Sequence, residues 1–303
     1  MALGRRKLGE TGLRVSELGF GCSSFWAKSA FPEARAFELV HKAIERGVNF
    51  FDTGSNYAGG QAERRLGKVL REHRDKDLVI ATKAGTWAAD DGSEYRDFSP
   101  TAVRKGVEGS LKRLDLDHVS LLHLHAPPAG AITDELLRCL EKLKQDGLVS
   151  FCGVNGENKR IIETVLEHDV FSTVMFDYNV FQSAKKPVLA KLAAAGVGFI
   201  AATPLGQAHW SNKLFKPTRV ADLWYIARAL RRHRAKVVRG FSFRFIENYP
   251  GWTGGEVAIA YALSNPDVSA AIFGTTSVDR LAENLGASGR ELPQEIIDRI
   301  EAS

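Results

Sequence analysis

Eight short apolar runs, separated by amphipathic stretches, constrain this 303-residue chain more than any other feature. They are Leu18–Gly21, Val48–Phe51, Leu78–Thr82, Val119–Leu124, Val149–Val154, Val174–Phe176, Val197–Ala202 and Ala270–Phe273. They are largely unalternating, so both faces of each are expected to be buried, as in a parallel sheet. Between the runs lie helical patterns. Phe37, Val40, Ala43 and Ile44 recur at spacings of three and four, with Glu38, Lys42, Glu45 and Arg46 on the other side. Ser99-Pro100 places a capping residue before a proline at the first helical position, opening Thr101–Arg113. Thr133 likewise caps Asp134–Gln145, and Gly147 stops that helix. Strands alternating with helices of this length predict βα units, and eight of them predict an α/β fold of the (β/α)8 TIM barrel type. Arg5 to Val15, with Gly9 and Thr11-Gly12 in its middle, reads as an N-terminal β-hairpin that plugs the barrel bottom. No Pro/Gly/Ser linker or charge block divides the chain, so residues 1–303 are expected to form a single barrel domain with loops at its C-terminal face.

In such a barrel the functional groups gather at the C-terminal ends of the strands. Asp52, Lys83 and His125 sit at or just past the ends of three successive runs, and Tyr57 follows five residues after Asp52. Neighbouring strands lie about 4.8 Å apart, so these four side chains can meet. A phenol has an unperturbed pKa of about 10 and is a poor acid near neutrality. An adjacent ammonium favours the phenolate, so Lys83 is expected to lower the pKa of Tyr57, with Asp52 keeping Lys83 charged and aimed. His125 is then free to orient a carbonyl oxygen or relay a proton. The set suits protonation of a carbonyl as hydride arrives at its carbon, or the reverse. Each group alone has a plainer reading: a loop-bonding aspartate, a packed tyrosine, a solvated lysine, a structural histidine. Their joint placement favours chemistry. His123 and His125 share one strand face, and the deeper His123 is expected to be a core histidine.

Six separated motifs, in order along the chain, resemble an aldo-keto reductase. They are Gly19-Phe20-Gly21; Phe51-Asp52-Thr53 with Tyr57, Glu63 and Leu66-Gly67; Ala81-Thr82-Lys83; Leu121 to His125; Thr203-Pro204-Leu205-Gly206; and Arg280 with Glu283-Asn284. The resemblance implies a barrel that binds a nicotinamide cofactor without a Rossmann fold and a catalytic tetrad of Asp52, Tyr57, Lys83 and His125, with tyrosine as general acid in reduction. It also implies an oxidoreductase that interconverts aldehydes or ketones with alcohols.

The cofactor side departs from the family. Where most members carry Ser-Asn, a glutamine and a stacking aromatic on the fifth, sixth and seventh strands, this chain has Asn155-Gly156, Met175 and Ala202. Loss of a ring contact and an amide weakens nicotinamide binding by roughly 1 kcal/mol or more. Asn155 still offers an amide, and Met175 can pack on the ring. Gly153 to Gly156, Ala201 to Leu205 and Gly274 to Ser277 are similar to the branch containing L-galactose and other sugar dehydrogenases. That likeness points to a carbonyl or sugar-like small molecule as substrate. An arginine can grip the adenosine 2′-phosphate bidentately. The family provides that grip after the eighth strand, where this chain reads Gly274-Thr275-Thr276-Ser277-Val278-Asp279-Arg280. Arg280 matches the phosphate contact and Asn284 the adenine contact, so NADP(H) is expected over NAD(H). Two alternatives stand beside this reading: an NAD-dependent aldose or lactol dehydrogenase, and a cofactor-binding regulatory subunit with little turnover.

Further residues are candidates only by position. Trp26, Trp87 and Trp210 follow the first, third and seventh runs, where they wall a substrate pocket or pack beneath loops. Residues 219–234 read as a helix in a segment rich in arginine, either a docked helix with a solvated basic side or a lid that attracts an anion. The net charge of +5 is mild and no basic motif organises it, so nucleic acid is not an expected partner. No run reaches the ~18 apolar residues of a membrane span. The three cysteines, Cys22, Cys139 and Cys152, have no metal spacing, and with the absence of a leader pattern they predict reduced thiols and a cytoplasmic enzyme without metal. No heptad repeat points to an oligomeric state.

Overall fold

The computed structural model describes residues 3–23, 25–89, 93–208, 210 and 239–303. Strands β1 (Arg5–Lys7) and β2 (Arg14–Ser16) form an antiparallel pair, with Arg6 opposite Val15. The barrel strands follow: β3 (Leu18–Gly21), β4 (Phe50–Asp52) and β5 (Val79–Ala84). A short antiparallel hairpin of β6 (Thr86–Ala88) and β7 (Glu94–Arg96) is inserted after β5. The barrel resumes with β8 (Val119–His125), β9 (Val149–Asn155), β10 (Phe171–Asp177), β11 (Gly198–Ala202) and β12 (Val268–Phe273). Neighbouring barrel strands are all parallel and the sheet closes in the order β10-β11-β12-β3-β4-β5-β8-β9. Each of the eight predicted runs thus supplies one barrel strand.

The helices are α1 (Glu33–Glu45), α2 (Gln61–Leu70), α3 (Pro100–Leu114), α4 (Asp134–Gln145), α5 (Lys159–Glu167) and α6 (Lys186–Ala194), then α7 (Gly254–Ser264), α8 (Val278–Leu285) and α9 (Gln294–Glu301). The predicted caps are present. The Ser99 hydroxyl accepts from the Ala102 amide with Pro100 opening α3, and the Thr133 hydroxyl accepts from the Leu136 amide at the start of α4. Gly147, just beyond α4, holds φ of +73°, a conformation that favours glycine.

Two apolar layers flank the sheet. The outward strand faces carry Phe51, Leu122, Val154 and Phe199 into one cluster with helix residues such as Leu39, Val107 and Leu140. Phe50, Ala81, Leu121, Met175, Ile200 and Ile272 fill the barrel interior together with Leu8 and Val15 of the N-terminal hairpin. The hairpin therefore closes the bottom of the barrel. It is tied there by the Glu10 amide donating to Gly196 O at 2.9 Å, and a Cβ on Gly9 would lie 2.4 Å from that same oxygen. Burying both faces of each strand explains why the runs show little alternation.

Candidate active site

At the opposite end of the barrel the strand order brings β4, β5 and β8 side by side, with Asp52 and His125 the last residues of β4 and β8 and Lys83 the last but one of β5. Lys83, 1% exposed, donates to both carboxylate oxygens of Asp52 at 2.6 Å and to Thr53 O at 2.7 Å. Its ammonium nitrogen stands 5.0 Å from the centre of the Tyr57 ring. The Tyr57 and His125 rings meet edge to face, 5.7 Å apart. All four tetrad residues therefore converge at one end of the barrel.

Burial and charge oppose each other within this group. Burial pushes Lys83 down, but the charges of Asp52 and Tyr57 and hydrogen bonds to both outweigh it, so its pKa is raised. Burial lifts the Asp52 carboxyl above its usual range, and the Lys83 charge offsets part of that. Tyr57 departs from expectation: burial raises its pKa, and the lowering by Lys83 is too small to reverse it. The Lys83 charge acts in the expected direction, but desolvation of the phenol is the larger effect here. His125 is lowered to about 3, first by burial and then by the Lys83 charge. Its imidazole is neutral at neutral pH, and its Nδ1 has no hydrogen-bond partner among the described residues.

His123, fully buried and also lowered to about 3, bonds the Thr173 hydroxyl at 3.0 Å and is the core histidine expected of it. Cys22 is likewise a packed residue, fully buried.

The candidate cofactor residues lie on the next strands round the ring. His125 pairs with Asn155, and Asn155 with Met175. The Asn155 amide donates to Met175 O at 3.3 Å. Met175 and Ala202 are 5% and 9% exposed and belong to the apolar barrel interior. After β11, Thr203, Gly206, Gln207 and Ala208 all adopt left-handed backbone conformations. This loop borders a cavity of about 150 Å³ lined by Asp177, Asn179, Phe181, Gln182, Thr203 and Gly206. Asn179 fixes it by donating to Thr203 O at 3.0 Å. Pro204 is buried, and Leu205 packs with the neighbouring clusters. Beyond β12, Gly274 and Thr276 are exposed. Thr275 Oγ1 accepts from the Ser277 amide at 3.2 Å, and Ser277 Oγ caps α8. Both hydroxyls serve the local turn, while Arg280 is exposed and has no ion-pair partner among the described residues. Asn284 is 5% exposed, and its side-chain oxygen lies 3.1 Å from where a Gly255 Cβ would be. A bare arginine beside a helix N-terminus fits an anionic group.

The three candidate tryptophans are placed as follows. Trp26 is 2% exposed, with its indole donating to Ala36 O at 3.2 Å. Trp210 is 4% exposed, donates to Leu205 O and packs on Gly254. Trp87 stands against Gly106 of α3. Trp26 and Trp210 are buried, because a large ring with one donor gains more from packing than from standing in solvent, whereas Trp87 is half-buried on α3. The basic stretch 219–234 lies outside the described residues.

Thr53, Thr82 and Glu63 stand in the sequence motifs, but the contacts they make at the site have no sequence signal. Thr53 contributes a carbonyl, which no side-chain pattern reveals. Buried Glu63 accepts from Thr82 Oγ1 at 2.5 Å and from Arg113 Nε at 2.6 Å, fixing β5 beside Lys83. Thr86 donates to His125 O at 2.7 Å. The β6–β7 hairpin had a signal: Asp91-Gly92 between two short runs containing Trp87 and Tyr95.

A model of the aldo/keto reductase family matches residues 17–303. The chain belongs to the aldo/keto reductase family. It is therefore an oxidoreductase of a family that uses nicotinamide cofactors. It is similar to L-galactose dehydrogenase from Arabidopsis thaliana, at 32% identity over 98% of this chain and 93% of that protein. It is also similar to a probable voltage-gated potassium channel subunit beta from Oryza sativa subsp. japonica, at 29% identity over 98% and 95%. In fold it resembles an aldo-keto reductase from Bacillus halodurans in its holo form, with a TM-score of 0.82 at 24% identity over 99% and 96% of the two chains. No helix among the described residues is long and apolar enough to cross a membrane.

Proposed function

We propose that this reductase interconverts aldehydes or ketones with alcohols, with Tyr57 as general acid in reduction and general base in oxidation. The observation that carries the reading is the buried Lys83, bonded to Asp52 and Thr53 and lying 5.0 Å from the Tyr57 ring. When bound, the nicotinamide supplies or accepts the hydride. The chain's residues then handle the proton and the substrate. In reduction, negative charge develops on the carbonyl oxygen, and the Tyr57 hydroxyl protonates it. A tyrosine of raised pKa keeps its proton until that charge appears. Lys83, held charged by Asp52, stabilises the phenolate left behind. Neutral His125 orients the oxygen without competing as an acid, because it charges only near pH 3.

NADP(H) is the favoured cofactor, with exposed Arg280 on its 2′-phosphate, Asn284 toward adenine, and Thr275, Thr276 and Ser277 lining the approach. Asn155 and Met175 serve the nicotinamide, and the Thr203-Pro204-Leu205-Gly206 loop with Gly274 borders the cofactor path. The substrate is a small carbonyl or sugar-like molecule rather than nucleic acid. Three free cysteines, none in a disulfide, support a cytoplasmic setting. A second reading, an NAD-dependent aldose or lactol dehydrogenase, draws on the likeness to L-galactose dehydrogenase. The third, a sensing subunit with little turnover, draws on the likeness to the channel subunit. Purified protein mixed with NADPH or NADH and a panel of aldehydes, or with NADP or NAD and sugars, separates the three. Consumption of reduced cofactor with aldehydes supports the first; tight cofactor binding without turnover on any substrate overturns it.

A further inference from the structure

The β6–β7 hairpin turns one of its faces to the catalytic end of the barrel. Thr86 pairs with Arg96, and Ala88 with Glu94, so these four side chains share a face. Thr86 fixes that face by bonding His125 O at 2.7 Å. Trp87 and Tyr95 point the opposite way, with Trp87 seated on α3. Glu94 accepts from the Asn56 amide, one residue before Tyr57, at 2.6 Å through Oε1, which leaves its other oxygen available. Arg96 is exposed and forms no ion pair among the described residues, with Glu94 or any other carboxylate. Both charges are felt at the site: Glu94 raises Tyr57 and Arg96 lowers His125.

We infer that Glu94 and Arg96 form a recognition pair for a polyhydroxylated substrate, Glu94 accepting from and Arg96 donating to hydroxyls remote from the reacting carbon. The inference rests on the oxidoreductase reading and narrows its substrate class. A free acceptor and a free donor fork on one strand face suit hydroxyl groups, which both donate and accept. A carboxylate would be drawn to Arg96 and repelled by Glu94, and a simple aliphatic aldehyde would leave both without a partner. The planar guanidinium can bond two oxygens at once, which suits vicinal hydroxyls.

The test compares reduction of glyceraldehyde with that of propanal, which lacks its hydroxyls, and of succinic semialdehyde, using whichever reduced nicotinamide is accepted. The wild type is expected to favour glyceraldehyde. Glu94→Gln and Arg96→Gln should each lower the ratio of kcat/KM for glyceraldehyde over propanal by about tenfold, the worth of a charge-assisted hydrogen bond. Arg104→Gln on the outer face of α3 serves as a control that leaves the ratio unchanged. A ratio within twofold of wild type in both hairpin variants overturns the inference while leaving the oxidoreductase reading intact. Selective loss of succinic semialdehyde reduction in Arg96→Gln overturns it in favour of an anion receptor. If no aldehyde is reduced at all, the oxidoreductase reading fails first and takes this inference with it.

Discussion

The proposed proton-transfer half of the site and the proposed cofactor half are built differently. Asp52, Lys83 and His125 are strand residues on adjacent β4, β5 and β8, locked by ion pairing, a backbone acceptor and the bond from Thr86. Gly274, Thr276 and Arg280 lie beyond β12 and are exposed, and the Thr203 loop is held mainly by Asn179. The first half has its geometry before any ligand arrives, as positioning for proton transfer requires. The second offers surface that a ligand must complete. On the proposed assignment, substitution at Asn155, Met175 and Ala202 can proceed without disturbing the Asp52–Lys83 pair.

Lys83→Met probes this contrast most strongly. It leaves the Asp52 carboxylate buried without its partner and should destabilise the fold by about 3–5 kcal/mol while abolishing turnover. Urea unfolding measures it, and a loss below about 1 kcal/mol would mean that the pair does not hold the catalytic half together. Next comes acid sensitivity. The unfolded chain binds a proton at His123 below its ordinary value of 6.5, while the folded state stays neutral to about 3. Its contribution to stability is complete above pH 6.5 and declines as pH falls toward 3, amounting to a loss of roughly 2 kcal/mol at pH 5. His125 shares the direction and the window. Replacing His123 with Gln should remove its part of the slope in unfolding curves recorded at pH 7 and pH 5; an unchanged slope would refute the assignment. Arg280→Ala should have the smallest effect, confined to the exposed half. The KM for NADPH should rise about tenfold with that for NADH nearly constant and unfolding unaltered. Equal effects on the two cofactors would remove the phosphate assignment.

The same contrast explains what the sequence made legible. The strands were readable because burial on both faces selects continuous apolar runs, and Asp52, Lys83 and His125 were readable because they interrupt the ends of those runs. The raised pKa of Tyr57 was not, since desolvation depends on how tightly loops close over the ring. Trp26 and Trp210 were ambiguous for a related reason: position after a strand does not say whether a ring faces the mouth or the packing beneath a loop. Thr53 acts through its carbonyl, and Glu94 and Arg96 through a hairpin whose register only the fold reveals.

In the proposed mechanism Tyr57 moves the proton while a separate surface holds the cofactor. Tyr57→Phe removes one hydroxyl and keeps the ring. Fluorescence titration with NADPH and steady-state reduction of one aldehyde, both on that variant, test the claim most directly. Cofactor affinity is expected to stay within about twofold of wild type while turnover falls by roughly 10²- to 10⁴-fold, the range for loss of a general acid. Turnover near that of the wild type, with binding intact, would contradict it.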